Sequence, residues 1–252
     1  MIRIVDLHKS FGENNVLSGV NLEIKDRETI TIIGGSGCGK SVLIKHIVGL
    51  LKPASGNIFV DETEITGLNE KSLSEVQRNF GFLFQGAALF DSLTVGDNVA
   101  FGLRNLTEMP AEKISQKVKK CLSMIGLEGI EQMKPSELSG GMKKRVALAR
   151  AIATDPKYIF YDEPTTGIDP IMADVINDLI IYLQKSLDIT SIVVTHDMTS
   201  AYKISNRIAM LYDGKIIGIG TPDEIKKTEN QYVKQFTTGS SVGPIKMKVR
   251  ER

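Results

Sequence analysis

Hydrophobic and polar positions alternate along residues 2–7 and again along 20–24, the two-residue period of strands with one buried face. Residues 28–33 form a third β-rich run, Thr-Ile-Thr-Ile-Ile after Glu28, that ends at Gly34-Gly35. Residues 40–51 then take helical spacing, with Pro53, Ser55 and Gly56 punctuating the end. Short strands are expected around 57–61 and 81–84. From about 96 to 153 the pattern is helical, and 111–125 is its clearest amphipathic stretch. Strand signals return at 158–161 and 189–195. Asp169-Pro170 reads as an N-cap followed by Pro in the first helical turn. Thr221-Pro222-Asp223-Glu224 carries the same start signal, with Glu224 placed to close a capping box. Strand–helix alternation at both ends around a helical middle predicts an α/β core with an inserted helical subdomain at about 86–155.

Composition narrows the class. The 252 residues carry 31 Lys+Arg against 30 Asp+Glu, a formal net charge of +1. That balance argues against wrapping nucleic acid, which needs a clearly basic face. The two cysteines, Cys38 and Cys121, cannot build a disulfide framework or a CxxC metal site, and they suit a reducing compartment. Charges interrupt the first residues at once, so no signal core is read there, and no stretch approaches the ~18 apolar residues of a membrane span. Work at a membrane is therefore expected to run through a partner.

Gly34-Gly35-Ser36-Gly37-Cys38-Gly39-Lys40-Ser41 matches GxxxxGK[ST], and it lies between a strand and a helix as that motif requires. Glycines let successive backbone N–H groups turn inward around phosphate oxygens, and the helix N-terminus adds partial positive charge. Lys40 is placed to reach β/γ-phosphates, and the Ser41 hydroxyl to ligate Mg2+. Cys38 is read as a small loop residue rather than a redox group. The second half is Tyr158-Ile159-Phe160-Tyr161-Asp162-Glu163, an apolar strand delivering two carboxylates at its C-terminal end. Asp162 fits the metal-supporting acid, and Glu163 can orient or deprotonate an attacking water.

Leu138-Ser139-Gly140-Gly141-Met142-Lys143-Lys144-Arg145 resembles the signature motif of ABC-transporter ATPases. The family's other motifs follow in order. Phe11 resembles the aromatic that stacks on adenine, with Val16 beside it. Gln85 resembles the Q-loop glutamine, a metal contact, Asp169 the D-loop aspartate and His196 the switch histidine. The resemblance covers about residues 2–236, which sets a domain at 1–236 and an extension at 237–252. It implies a P-loop NTPase core with a mixed β-sheet, a peripheral antiparallel β-region and the helical subdomain. It also implies ATP and Mg2+ as cofactors, bound by residues 34–42, Gln85 and Asp162, with Ser139, Gly140, Gly141 and Asp169 completing the site of a second, identical copy head to tail. Val42 stands where most relatives carry Thr, which removes a hydroxyl but leaves the backbone N–H.

Met142, and Thr165-Thr166-Gly167-Ile168 before Asp169, depart from the commoner pattern. The segment Phe84-Gln85-Gly86-Ala87-Ala88-Leu89-Phe90-Asp91-Ser92-Leu93-Thr94-Val95 joins them. These features resemble the ATPase subunits of Mla-type, Mce-linked phospholipid transport systems. That subgroup implies a peripheral place on the cytoplasmic face of the inner membrane. It implies a permease, an Mce-domain lipid-binding protein and a small STAS-domain subunit as partners, and an extension that reaches the neighbouring copy. Ala87, Ala88, Leu89 and Phe90 are apolar for a solvated loop and are expected to meet the permease. Two alternatives stand beside this reading: the ATPase of a polar small-solute importer, and an ABC protein acting on DNA or ribosomes. The second is opposed by the absence of a coiled-coil insertion and of a second P-loop.

Overall fold

The structure, a computed structural model, describes residues 1–246. Most of the expected basic run that starts at Lys246 lies outside the described residues. Two long strands open the chain, β1 (Ile2–Phe11) and β2 (Asn14–Ile24), paired antiparallel. β3 (Thr29–Ile33) follows, buried at all five positions, as expected of a strand covered on both faces. α1 (Lys40–Ile47) leaves the glycine-rich loop. It stops four residues before the expected end at position 51, because Gly49 turns left-handed (φ 75°) directly after the C-cap Val48. β4 (Ser55–Val60) and the two-residue β5 (Thr63–Glu64) complete a four-stranded sheet ordered β2-β1-β4-β5. That sheet is the peripheral antiparallel region.

After α2 (Glu70–Gln77), β6 (Phe80–Leu83) enters a second sheet. The helical subdomain contains α3 (Val95–Leu106), α4 (Ala111–Met124) and α5 (Gly140–Ile152). β7 (Tyr158–Asp162), α6 (Pro170–Leu187), β8 (Thr190–Thr195) and α7 (Met198–Ile204) return the chain to the core. β9 (Arg207–Tyr212) and β10 (Lys215–Gly220) form a hairpin that the pattern of residues did not announce. Its signal is Asp213-Gly214, both left-handed (φ 48° and 71°), as a tight hairpin turn requires. The six-stranded sheet runs β10-β9-β3-β8-β7-β6, parallel from β9 to β6, with β10 antiparallel at its edge.

Caps are where local chemistry and structure agree most directly. Asp169 accepts from the Met172 amide at the head of α6. At α8 (Pro222–Lys226), Thr221 and Glu224 exchange both bonds of a capping box. α9 (Gln231–Thr238) runs across position 237, where the expected extension begins. The helix continues through Thr238 and ends on left-handed Gly239 (φ 66°). The chain then folds back on itself. Gln235 Oε1 accepts from the Ile245 amide at 2.7 Å, and its Nε2 donates to the Ile245 carbonyl at 3.1 Å.

Three buried clusters hold these layers. One joins the antiparallel sheet to one face of the six-stranded sheet through α1, one runs from the helical subdomain to α6 and the other face of that sheet, and a small one sits under α7–α9. Asn98 of α3 is a polar exception in the second, fully buried. It accepts from the Phe90 amide at 2.8 Å and donates to the carbonyls of Phe90 (3.1 Å) and Thr94 (2.9 Å). It thereby staples the segment after β6 to the subdomain. Asn98→Ala takes away the acceptor of the Phe90 amide and is expected to cost about 1–3 kcal/mol. The shift in denaturant midpoint, with the slope unchanged, measures it.

Candidate nucleotide site

Parallel strands end on the same edge of a sheet, and ligands bind in the crevice beyond it. Here β3, β6, β7 and β8 end beside one another, with Ile33 paired to Thr195, Asp162 to Val194 and Leu83 to Tyr161. The loops leaving them carry the glycine-rich segment, Gln85, Glu163 and His196. They line a cavity of about 660 Å3, together with Phe11, Val16, Gly35, Ser36, Gly37, Gly39, Lys40, Ser41 and Val42. Gly39 is left-handed (φ 104°) at the N-cap of α1, and a Cβ there would stand 2.9 Å from Val16 Cγ1. Only glycine allows the loop to turn into the helix at this distance.

Lys40 is buried at 7% exposure. Its Nζ donates to the carbonyls of Gly34 (2.8 Å) and Gly35 (3.0 Å) and lies 3.9 Å from the Glu163 carboxylate. Ser41 Oγ donates to Asp162 Oδ1 at 3.0 Å. Burial pushes the Asp162 carboxyl above its usual range, with the Ser41 hydroxyl opposing and the charge of Glu163 adding. Hydroxyl and carboxylate oxygens are the hard donors that suit Mg2+, so the pair fits that ion. Cys38 turns away from the cavity and packs against the core, and burial raises its thiol pKa. A raised pKa disfavours the reactive thiolate.

Glu163 adopts a left-handed backbone (φ 50°), uncommon for a residue with a Cβ. Its amide donates to the Val194 carbonyl at 2.9 Å. Its carboxylate accepts from the hydroxyls of Thr166 (3.1 Å) and Thr195 (3.2 Å), and His196 Nδ1 stands 3.0 Å away. The two threonines escaped sequence reasoning. Phe236 of α9, which also lines the cavity, escaped it as well.

The remaining expected residues lie elsewhere. Ser139, Gly140, Gly141 and Asp169 do not line the cavity, and Ser139, Gly140 and Asp169 are exposed. They gather on a separate surface of the same chain, where the missing side chain at Gly141 admits Met172 of α6. Ser139 Oγ accepts from the Met142 amide at 3.3 Å as the N-cap of α5. The Gly140 and Gly141 amides precede the first intrahelical bond of α5.

Two cations of α5 reach back to the segment after β6. Arg150 donates to the carbonyls of Ala88 (2.7 Å) and Ala87 (2.8 Å), which have consecutive left-handed backbones (φ 49° and 63°). Lys144 donates to the carbonyls of Gln85 (2.9 Å) and Glu163 (3.2 Å). Burial draws the Lys144 ammonium below the usual lysine range, and the Glu163 carboxylate opposes the shift. Its signal was its helical spacing from buried Gly141 and Leu148, hidden in what reads as a solvated charge run.

The sequence profile of the ABC transporter family matches residues 17–166. This chain belongs to that family, and it hydrolyses ATP in the service of transport. Across 98% of its length it is 41% identical to the intermembrane phospholipid transport system ATP-binding protein MlaF of Haemophilus influenzae, covering 94% of that protein. It is 38% identical to the probable ribonucleotide transport ATP-binding protein mkl of Mycobacterium leprae, over 98% of this chain and 71% of the relative. Among solved structures it resembles the ATP-binding cassette MJ0796, a dimer in a post-hydrolysis state bound to ADP and Pi. The TM-score is 0.80 at 33% identity, over 88% of this chain and 99% of that one.

Lys40 is the full charge nearest the phosphate loop. Lys40→Ala is expected to weaken ATP binding by about 2 kcal/mol, roughly 30-fold, by isothermal titration calorimetry. An unchanged affinity would show that the backbone cradle suffices without it.

Proposed function

We propose that this chain is the ATPase of a phospholipid transport system at the cytoplasmic face of the inner membrane. It works as a head-to-tail pair of identical copies on a permease, with an Mce-domain protein and a small STAS-domain subunit. The observation that carries the pairing is the division of the site. Nucleotide-cavity residues and the Ser139–Asp169 surface occupy different faces of one chain. A pair in which each surface covers the other copy's cavity completes two equivalent sites. MlaF, similar over nearly the whole of both chains, supports the phospholipid cargo.

In this reading Lys40 and the loop amides hold the phosphates, and Phe11 and Val16 take the adenine. Mg2+, held by Ser41, Asp162 and Gln85, supplies charge neutralisation at the phosphates. Glu163 takes the proton of the attacking water, and His196, 3.0 Å from that carboxylate, orients the group. Ser139, Gly140, Gly141 and Asp169 meet the neighbour's nucleotide. The isosteric swap Glu163→Gln keeps ATP binding but cannot accept a proton. Turnover is expected to fall at least ~100-fold, with an ATP-bound dimer accumulating on light scattering. Near wild-type turnover would remove Glu163 from its role.

A groove of about 420 Å3 lies between β6 and α3, lined by Phe82, Phe84, Phe90, Phe101, Leu106 and Arg150. Four of these aromatic or aliphatic side chains, Phe84, Phe90, Phe101 and Leu106, are exposed. No helix among the described residues is long and apolar enough to cross a membrane. We assign the groove to the permease. Ala87 and Leu89 pack inward instead, which restricts the expected strip to Ala88 and Phe90. Phe90→Asp places a charge in that contact and should weaken assembly by about 2 kcal/mol, roughly 30-fold, while sparing ATP affinity. Pull-down with the permease reads it.

The relative named for ribonucleotide transport keeps a solute importer as the second reading. Purification from membranes in mild detergent separates the two. A permease with an Mce-domain protein supports phospholipid transport, and a solute-binding protein replaces it with import.

A further inference from the structure

α5 faces two sites at once. Its first turn carries Ser139, Gly140 and Gly141, which the proposed pair directs at the neighbouring copy's nucleotide. Lys144, on the next turn, points into its own chain and is 5% exposed. Its Nζ donates to the carbonyl of Gln85 at 2.9 Å and to that of Glu163 at 3.2 Å. Both residues line this chain's own nucleotide cavity. One ammonium therefore ties the ends of β6 and β7 to the helix that serves the other site.

A buried charge is costly unless its donors are met, and an apolar side chain of similar length would avoid that cost. Packing alone does not call for a lysine here. The two acceptors are also unusual. Glu163 is left-handed, and two residues beyond Gln85 the backbone enters the left-handed pair Ala87-Ala88. Arg150 of the same helix holds the carbonyls of that pair. Arg150 grips the loop alone, whereas Lys144 grips the loop and the carboxylate-bearing residue together.

We infer that Lys144 is a positioning residue that couples the two nucleotide sites of the pair. When the head of α5 closes on the neighbour's nucleotide, the shift of the helix is carried through Lys144 to the backbones of Gln85 and Glu163. The carboxylate of Glu163 reaches its working position only when the opposite site is engaged. This inference rests on the head-to-tail reading and on Glu163 as the base.

The test uses the full chain and MgATP, comparing wild type with Lys144→Met, Lys144→Arg and Glu163→Gln. Lys144→Met keeps length and loses the donors. Its kcat should fall roughly 10- to 100-fold, as misplaced reacting groups do, with ATP affinity within about two-fold. Its Hill coefficient for ATP should drop to about 1 from a wild-type value above 1. Lys144→Arg, whose guanidinium can reach both carbonyls, should restore both quantities. If Lys144→Met does not fold, Lys144→Gln, with a shorter amide donor, replaces it. Wild-type kcat and cooperativity in Lys144→Met, beside an inactive Glu163→Gln, overturn the inference alone. A wild-type Hill coefficient of 1 does so too. Loss of kcat together with ATP affinity, unrescued by Arg, reduces Lys144 to a structural role. Normal turnover by Glu163→Gln removes the underlying reading instead.

Discussion

Strands that run parallel must all end on the same edge, and the site hangs on that constraint. The glycine loop after β3, Gln85 after β6, Glu163 after β7 and His196 after β8 come from four distant stretches of chain. Register alone sets them side by side. Helices cover the sheet, so its inner strands are buried on both faces and cannot slip without exposing their apolar residues. The position of the phosphate loop relative to the acids is thus secured by the core rather than by the loops.

Much of this was readable from the chain, for identifiable reasons. A phosphate cradle is local chemistry: glycines, a lysine and a hydroxyl within eight residues, between a strand and a helix. Caps at Asp169 and Thr221 are equally local. What stayed hidden depends on contacts across sequence. Lys144 and Arg150 read as surface charge until α5 packs against the segment after β6. Asn98 reads as a neutral helix residue until Phe90 is brought to it. The return of Ile245 onto Gln235 is a ten-residue contact that no local pattern encodes. The β9–β10 hairpin is different, since its Asp213-Gly214 turn is itself a local signal.

Buried or half-buried polar side chains recur where the helical subdomain meets the core. Asn98, Lys144 and Arg150 all donate to backbone carbonyls of residues 85–94. Side-chain to carbonyl bonds fix backbone without demanding a particular neighbour side chain, so the segment is held in shape by α3 and α5 while Phe84, Ala88 and Phe90 remain exposed.

The groove beside β6 has a cost for a cell making this protein. Stacked Phe82 and Phe84, with centroids 4.2 Å apart, and the Phe90–Phe101 pair at 4.7 Å present apolar surface next to the last strand of a sheet. Sheet edges and exposed apolar patches invite self-association. If a permease covers the groove as proposed, a copy made in excess of it leaves that surface open to chaperones and proteases, which ties the abundance of the subunit to the supply of its partner.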